Sequence, residues 1–410
     1  MALTLREEAI KLHLDNNGKI AIACKVPIAN RHDLAVAYTP GVAEPCKDIK
    51  ENEDLSFEYT CRGNMVAIVT DGTRVLGLGD IGAAAGMPVM EGKAALFKTF
   101  GDVDAVPVCL DTKDPDEFIR TVKILEKNYA GINLEDISSP KCYDIEDRLK
   151  EISSIPVFHD DQHGTAIACL SAVLGALRFV KKDIATARFV VNGCGAAGSA
   201  IGRLLVNMGA NNVIMVDRFG ALYEGIDAKL DRIQTYLATV TNKEKLQGSL
   251  ADVAKGADVL IGASAPNVFT KEIMQSMAKD AIVFALANPV PETSYDAAKE
   301  AGVAVAGTGR SDRPNQVNNV TVFPGVFRGA IDVRAKAITE EMKVAAVYAI
   351  SNLIDEKDLR EDYVVPDAFD PRVAPAVAAA VAKVAIEKGL ARKIVDPEEV
   401  RANTAKRLSK

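Results

Sequence analysis

Two kinds of stretch in this chain hold residues able to do chemistry. The first is Val-Val-Asn-Gly193-Cys-Gly195-Ala196-Ala197-Gly198, a G-x-G-x-x-G run that follows a β-rich segment and opens a helical one. Glycines at that spacing permit a tight turn and close backbone approach, so a pyrophosphate can rest on the helix N-terminus. The next β-rich segment ends in Asp217, nineteen residues beyond Gly198, where an acid can bond the ribose hydroxyls of a dinucleotide. A glycine turn that merely packs helix on strand is the plainer alternative, and the strand–turn–helix context favours the cofactor site. Asp217 suits NAD, whereas the neighbouring Arg218 could pair with the extra phosphate of NADP, so the residues leave the choice of cofactor open.

The second kind is acidic. Glu135-Asp136 and His159-Asp160-Asp161-Gln162-His163-Gly164-Thr165 each follow a predicted strand. In open α/β sheets ligands gather beyond the carboxyl ends of strands, so these acids should face one crevice. Carboxylates with no nearby cysteine suit a hard ion such as Mg²⁺ or Mn²⁺, with two oxygens of an α-hydroxy acid and a water completing six-fold coordination. Asp and Glu are also common caps of helix starts, and spacing alone does not separate the two readings. His159 and His163 stand four apart but flank a strand-to-helix turn, which argues for structural histidines rather than a zinc pair on one helix.

The elements that must position these groups read as an alternation of strands and helices, the pattern of a parallel α/β sheet. In the first half the strands are expected at Val66–Thr70, Ala105–Leu110, Gly131–Leu134 and Pro156–Phe158, with helices at Glu91–Phe100 and Asp116–Tyr129 between them. A long apolar helix, Gly164–Val180, should join the two halves. The alternation then restarts with strand Arg188–Val191, helix Ala196–Met208 and strand Val213–Val216. Strands follow at Val259–Gly262, Ile282–Ala285 and Ala304–Ala306, and helices at Thr339–Ile354 and Ala374–Lys388. With 410 residues the chain exceeds the size at which single cores stop growing, about 250–300 residues, so two domains are expected.

Several short segments together resemble the malic enzyme family. Ala37-Tyr38-Thr39-Pro40-Gly41-Val42-Ala43 is similar to the family's tyrosine segment. Val69-Thr70-Asp71-Gly72, leading into Leu76-Gly77-Leu78-Gly79-Asp80-Ile81-Gly82, is similar to its glycine-rich loop. Met87-Pro88-Val89-Met90-Glu91-Gly92-Lys93 is similar to its lysine segment. The two acidic clusters match its metal segments, and Ala287-Asn288-Pro289 with Asn318-Asn319 its substrate amides. The likeness runs in order from about Tyr38 to Arg334, and the compact length resembles the short bacterial enzymes.

The resemblance implies an N-terminal α/β malic-type domain over residues 1–160, a Rossmann-like dinucleotide-binding domain with a parallel sheet over 161–385, and a helical tail over 386–410. It implies oxidative decarboxylation of L-malate to pyruvate and CO₂ with reduction of NAD or NADP, and decarboxylation of oxaloacetate. It implies Lys93 as general base on the C2 hydroxyl and Tyr38 as the acid that protonates C3. Glu135, Asp136 and Asp161 would hold Mg²⁺ or Mn²⁺ with Asp160 in support. Asn288 serves substrate and nicotinamide, Asn318 and Asn319 serve substrate, and Arg74 stands where larger relatives carry a carboxylate-binding arginine. Gly193, Gly195, Ala196, Ala197, Gly198, Asp217 and Arg218 would line the cofactor site. Lys93 falls near the start of its predicted helix, whose positive end disfavours an ammonium. A nearby divalent cation pushes the same way, so a neutral amine near pH 7 is expected.

Bulk properties agree with a soluble enzyme. The net charge of −7 comes with no basic cluster, which argues against nucleic acid and anionic membranes as partners. The most apolar stretch, Val373 to Leu390, is interrupted by Lys383, Glu387 and Lys388, and the N-terminus lacks the apolar core of a signal peptide. Seven cysteines without a C-x-x-C pair fit free thiols in a reducing cytoplasm. The resemblance implies a homodimer or higher homo-oligomer, and the apolar helices at both ends suggest an interface. Two rival classes are an oxaloacetate decarboxylase that makes no productive use of a dinucleotide, and a nucleotide-sensing module without chemistry. The second predicts loss of Lys93, Tyr38 or an acid, and all are present.

Overall fold

The computed structural model describes residues 3–409. Four helices precede the first strand: α1 (Leu5–Asn16), α2 (Arg31–Ala37), α3 (Ala43–Glu51) and the single turn α4 (Ser56–Tyr59). Two sheets follow, each made by its own alternation of strand and helix. In the first, β1 (Met65–Thr70) leads through α5 (Gly82–Gly101) to β2 (Asp104–Cys109). Helix α6 (Pro115–Leu125) then leads to β3 (Gly131–Leu134), and α7 (Lys141–Ile152) to β4 (Val157–His159). All four strands are parallel in the order β2-β1-β3-β4. The inner strands are short apolar runs buried on both faces, as a helix-covered parallel sheet requires, while every residue of the edge strand β2 is half-exposed.

The connecting helix α8 (Asp160–Val180) starts directly from the end of β4 and carries the chain into the second sheet. Strands β5 (Arg188–Asn192) and β6 (Asn212–Asp217) flank α9 (Ala196–Asn207), and β7 (Gly220–Ala221) folds straight back on β6. Strands β8 (Val259–Gly262), β9 (Ile282–Ala285) and β10 (Val305–Thr308) complete the order β10-β9-β8-β5-β6-β7, parallel except at β7. The order reverses between β5 and β8, and the glycine run follows β5 at that switch point.

The expected strands Gly131–Leu134, Val259–Gly262 and Ile282–Ala285 coincide with the observed ones. Two helices differ in a way that bears on the site. Helix α5 begins at Gly82 rather than Glu91 and runs through Pro88. Glycine and proline disfavour helix interiors by about 1 and about 3 kcal/mol, so the run Gly82–Pro88 reads locally as a loop. Packing overrides this, since Ala83, Gly86 and Met90 are buried. Helix α8 begins four residues before its expected start, which puts both aspartates of the second acidic cluster in its first turn.

After β10 the chain returns to the first sheet. Phe323 and Phe327, from the helix Phe323–Asp332, stack against Phe97 of α5 at 4.6 and 5.3 Å, and Phe327 meets Phe158 of β4 at 5.9 Å. One hydrophobic core therefore includes residues of both sheets. Among the described residues one helix, α8, is long and apolar enough to cross a membrane, and 78% of its most apolar window is buried in this core. Its fit is close: a Cβ at Gly175 would lie 1.8 Å from the carbonyl oxygen of Val364. Gly175→Ala should therefore destabilise the chain by about 1–3 kcal/mol through overpacking. A denaturation midpoint equal to that of the parent chain would refute that closeness.

Candidate active site

The carboxyl ends of β3 and β4 and the middle of α5 meet in a cleft of about 570 Å³. Glu135 and Asp136 follow β3, Asp160 and Asp161 open α8, and Lys93 reaches in from α5. The Lys93 ammonium donates to Glu135 Oε1 at 3.1 Å and makes a close ion pair with Asp160 Oδ2. All three side chains are at least nine-tenths buried. Asn319 Nδ2 also donates to Asp160 Oδ2, at 3.0 Å, and Asn133 Nδ2 donates to Glu135 Oε2 at 2.8 Å. Asp136 adopts φ 55°, a left-handed conformation that few residues other than glycine tolerate. Held there, its N–H donates to Asp161 Oδ2 at 2.7 Å and its carbonyl accepts from Arg74 N–H at 3.0 Å. Gly164 makes room for Asp160, because a Cβ there would lie 1.8 Å from Asp160 Oδ1.

This cluster carries more negative than positive charge. Burial pushes the Glu135 carboxyl up to about 8, opposed by Lys93 and reinforced by the Asp161 charge. Burial and then the Glu135 charge push Asp136 up to about 7. Asp161 also rises to about 7, from desolvation and then the Asp136 charge, although 34% of its side chain faces the cleft. Asp136 Oδ2 and Asp160 Oδ1 are buried with no hydrogen-bond partner. Hard oxygen donors, unsatisfied lone pairs and uncompensated charge are what a divalent cation such as Mg²⁺ or Mn²⁺ would relieve. As the side chains stand, no three acids or imidazoles among the described residues are arranged around one ion position; the Lys93 ammonium supplies the positive charge between Glu135 and Asp160.

Lys93 departs from the expected neutral amine. Burial alone would lower its pKa, but the charges of Asp160 and Glu135 outweigh that and hold the ammonium well above the usual lysine range. The argument from the helix end fails as well, because Lys93 lies in the middle of a helix that starts at Gly82.

A second cleft, of about 730 Å³, lies at the carboxyl ends of β5, β6 and β8, lined by Gly193, Gly195, Asp217 and Arg218. It shares Gly195, Ala263 and Ser264 with the acidic cleft, so the two form one groove. Gly193 sits at φ 106°, and a Cβ on Gly198 would lie 1.8 Å from its carbonyl oxygen, so both glycines are required for the turn to seat on the helix. Gly195 has open space around its Cα, which leaves room for a phosphate. Asp217 Oδ2 accepts from Gln234 Nε2 at 2.5 Å and Oδ1 from Arg218 N–H at 2.8 Å, while the Arg218 guanidinium lies over the Phe219 ring.

Most of the residues singled out by sequence come together. Arg74, Lys93, Glu135, Asp136, Asp160, Asp161, Ala196, Ala197, Asn288, Asn318 and Asn319 all line the acidic cleft. Ala196 and Ala197 thus sit where the two clefts join. Asn318 also caps a helical turn, accepting from Val320 N–H at 3.0 Å. Tyr38 is the exception: it caps α2, is 66% exposed and lies outside both clefts. Both histidines are buried. His163 bonds Glu146 at 2.8 Å, with Lys343 also in reach, and His159 lies 3.5 Å from Asp161. Sequence reading missed Asn133 and Gln234, which hold Glu135 and Asp217. It also missed the fully buried Glu292, whose carboxylate takes the N–H groups of Ser264 and Ala287 and ties together two loops of the groove. None carries a local motif, and only the alternation of Asn133 with Glu135 hinted that they share a strand face.

Comparison with known proteins agrees with this layout. Residues 17–150 match the family model described as malic enzyme, N-terminal domain, and residues 162–386 match malic enzyme, NAD binding domain. The chain is 55% identical to a bifunctional malic/malolactic enzyme of Bacillus subtilis, over 98% of each chain. It is 51% identical to an NAD-dependent malic enzyme of Geobacillus stearothermophilus, over 92% of this chain and 78% of that one. It is 46% identical to an NADP-dependent malic enzyme of Escherichia coli, of which it spans 54%. A solved malic enzyme structure from Pyrococcus horikoshii superposes with a TM-score of 0.96 at 45% identity, covering 99% of this chain and 96% of that one.

The charge imbalance has a measurable consequence. Carboxyls whose folded pKa is raised bind protons that the unfolded chain releases near pH 4, so the metal-free protein loses stability as pH rises from about 4 to about 8. A cation binding the deprotonated acids reverses that trend. The Mg²⁺-induced rise in melting temperature should therefore be larger at pH 8 than at pH 5.5, and an equal or smaller rise at pH 8 would contradict the assignment.

Proposed function

Because the chain belongs to the malic enzyme family, we propose that it converts L-malate to pyruvate and CO₂ with reduction of NAD⁺, at a divalent metal held by Glu135, Asp136 and Asp161. The single observation that carries this reading is the groove itself. Its buried lysine and four carboxylates open without a break onto a glycine-turn dinucleotide cleft. The malic-type unit runs through residue 160, the dinucleotide-binding unit over 161–385 and the helical tail over 386–410.

On this reading Lys93 takes the proton of the C2 hydroxyl as the hydride leaves. Its base form requires that Asp160 and Glu135 engage another cation, since their charges are what hold the ammonium. When bound, a metal held by Glu135, Asp136 and Asp161 would supply Lewis acidity to the substrate oxygens, and a dinucleotide on the glycine turn would supply the hydride acceptor. Asn319 keeps Asp160 oriented toward Lys93, and Asn288 lines the same cleft. Arg74, exposed at the cleft mouth, is suited to a substrate carboxylate. The family resemblance gives the return of a proton to C3 to Tyr38, which is exposed and lies outside both clefts. The same acids would let the chain decarboxylate oxaloacetate, the intermediate, when it is supplied from solution. The free cysteines among the described residues support a reducing, cytoplasmic setting.

The cofactor preference rests on Asp217. Its carboxylate is fixed at the rim by Gln234 and by its neighbour's N–H, where it can accept from ribose hydroxyls and repel a 2′-phosphate. The chain should therefore use NAD⁺ in preference to NADP⁺. Asp217→Ala should raise KM for NAD⁺ about tenfold or more, the worth of one charged hydrogen bond at roughly 1.5–3 kcal/mol, and affect NADP⁺ less. Initial rates with both cofactors decide it, and unchanged kinetics would remove Asp217 from the site.

Lys93→Ala should lower malate oxidation by about 10² or more, the usual worth of a positioned base, with partial rescue by a small added amine. NAD(P)H absorbance after adding malate and Mn²⁺ reports this directly. Malate-dependent absorbance that persists near parental rates in the variant, or none at all in the parent chain, would overturn the reading.

A further inference from the structure

Glu292 is completely buried, yet the three hydrogen bonds that its carboxylate accepts all come from uncharged groups. Its Oε1 accepts from Ser264 N–H at 2.6 Å and from the Ser264 hydroxyl at 3.0 Å, and its Oε2 accepts from Ala287 N–H at 3.0 Å. A backbone N–H can only donate, so both oxygens are acceptors, the pattern of an ionised carboxylate. The Ser264 hydroxyl is free to donate because Asn192 Nδ2 donates to its oxygen at 2.8 Å. These bonds replace water around the charge without cancelling it. Lys93, by contrast, offsets part of the charge of Asp160 and Glu135.

The fold makes room for this carboxylate behind the groove. Gly262 closes β8, and a Cβ there would lie 2.4 Å from Glu292 Cδ, so the side chain passes beneath the end of the strand. Phe269 N–H donates to the Glu292 carbonyl and Asn267 N–H to that of Pro291, at 3.0 and 3.1 Å, which pins the segment under the loop after β8. The two residues that the carboxylate holds are wall residues: Ser264 lines both clefts and Ala287 the acidic one. A dinucleotide whose pyrophosphate rests on the glycine turn must place its hydride-accepting ring between that turn and the acids, along this stretch of wall. The ring is a cation in the oxidised cofactor and neutral in the reduced one.

We propose that Glu292 makes the groove prefer the oxidised dinucleotide: its buried negative charge, one residue behind the wall, attracts the cationic nicotinamide and offers nothing to the neutral reduced ring. The proposal rests on the reading of this groove as a dinucleotide site. The attraction is strong because little water lies between charge and wall to weaken it. It also gives hydride transfer a consequence for release, since the attraction ends when the ring becomes neutral. Glu292 touches neither substrate nor cofactor, and its role is that of a fixed charge acting through Ser264 and Ala287.

Calorimetric titration of the Mg²⁺-loaded protein with NAD⁺, NADH and ADP-ribose, without malate, tests this. ADP-ribose lacks the ring and reports on the rest of the cleft. In Glu292→Gln the Kd for NAD⁺ should rise about tenfold, while those for NADH and ADP-ribose stay within about twofold of the parent chain. Glu292→Asp keeps the charge and should hold the ratio of the NAD⁺ and NADH Kd values within about threefold of the parent. If the amide variant does not fold, Glu292→Ala, whose vacated space admits water to the two N–H groups, should show the same selective loss of NAD⁺. Equal weakening of all three ligands would make Glu292 a structural tie between loops and overturn the proposal alone, as would an unchanged Kd for NAD⁺. A parent chain that binds none of the three would overturn the dinucleotide reading and the proposal together.

Discussion

The buried pairing of Lys93 with Asp160 and Glu135 is the constraint around which the first half of the molecule is arranged. An unpaired ammonium at that depth would carry a desolvation penalty of several kcal/mol, and so would either carboxylate. The three are therefore tolerable only together, and they come from α5, from the end of β3 and from the first turn of α8. Their agreement fixes the relative position of three elements far apart in sequence. Asn133, Asn319 and Gly164 then serve the pairing: one amide satisfies the second Glu135 oxygen, the other reinforces the Asp160 oxygen that Lys93 holds, and one missing side chain leaves space for Asp160. The arrangement stays short of neutral, because four buried or half-buried carboxylates face one ammonium, and burial together with their mutual repulsion raises the pKa of Glu135, Asp136 and Asp161.

The groove depends equally on contacts between the two sheets. A Cβ on Gly77, in the glycine-rich loop after β1, would lie 2.7 Å from Pro289 Cδ, so the loop closes on the segment carrying Asn288. Glu292 holds that segment to the loop after β8 through two N–H groups. The return of Phe323 and Phe327 onto Phe97 and Phe158 keeps the sheets from separating. The acidic cluster and the glycine turn thus line one groove whose width is set by packing in a shared core. That geometry suits a reaction in which a hydride crosses from one ligand to another and tolerates little misplacement.

Some of this was legible in the chain alone. Strand positions followed from short β-branched runs, whose burial on both faces leaves little freedom in assignment. The glycine turn and Asp217 were legible because their roles are local: a positive φ, a close helix approach and an acid one strand away. The acids at the ends of β3 and β4 were readable as a pair of clusters, since parallel strands bring their carboxyl ends to one edge. Spacing could not separate metal ligation from helix capping, because both use the same residue types.

What tertiary structure alone decided was charge state, helix extent and completeness. Lys93 reads as a neutral amine when its helix is started at Glu91, but packing of Ala83, Gly86 and Met90 extends that helix to Gly82 and brings two carboxylates against the ammonium. Local propensity could not anticipate this, because the stabilisation comes from burial between distant segments. Gln234, Glu292 and Asn133 were invisible for the same reason: each acts through one hydrogen bond whose partner only the fold supplies. Tyr38 marks the other limit. Sequence named the residue by its neighbours, and the structure placed it at the exposed end of α2 away from the groove, because position in space is set by the fold around a segment rather than by what adjoins it in the chain.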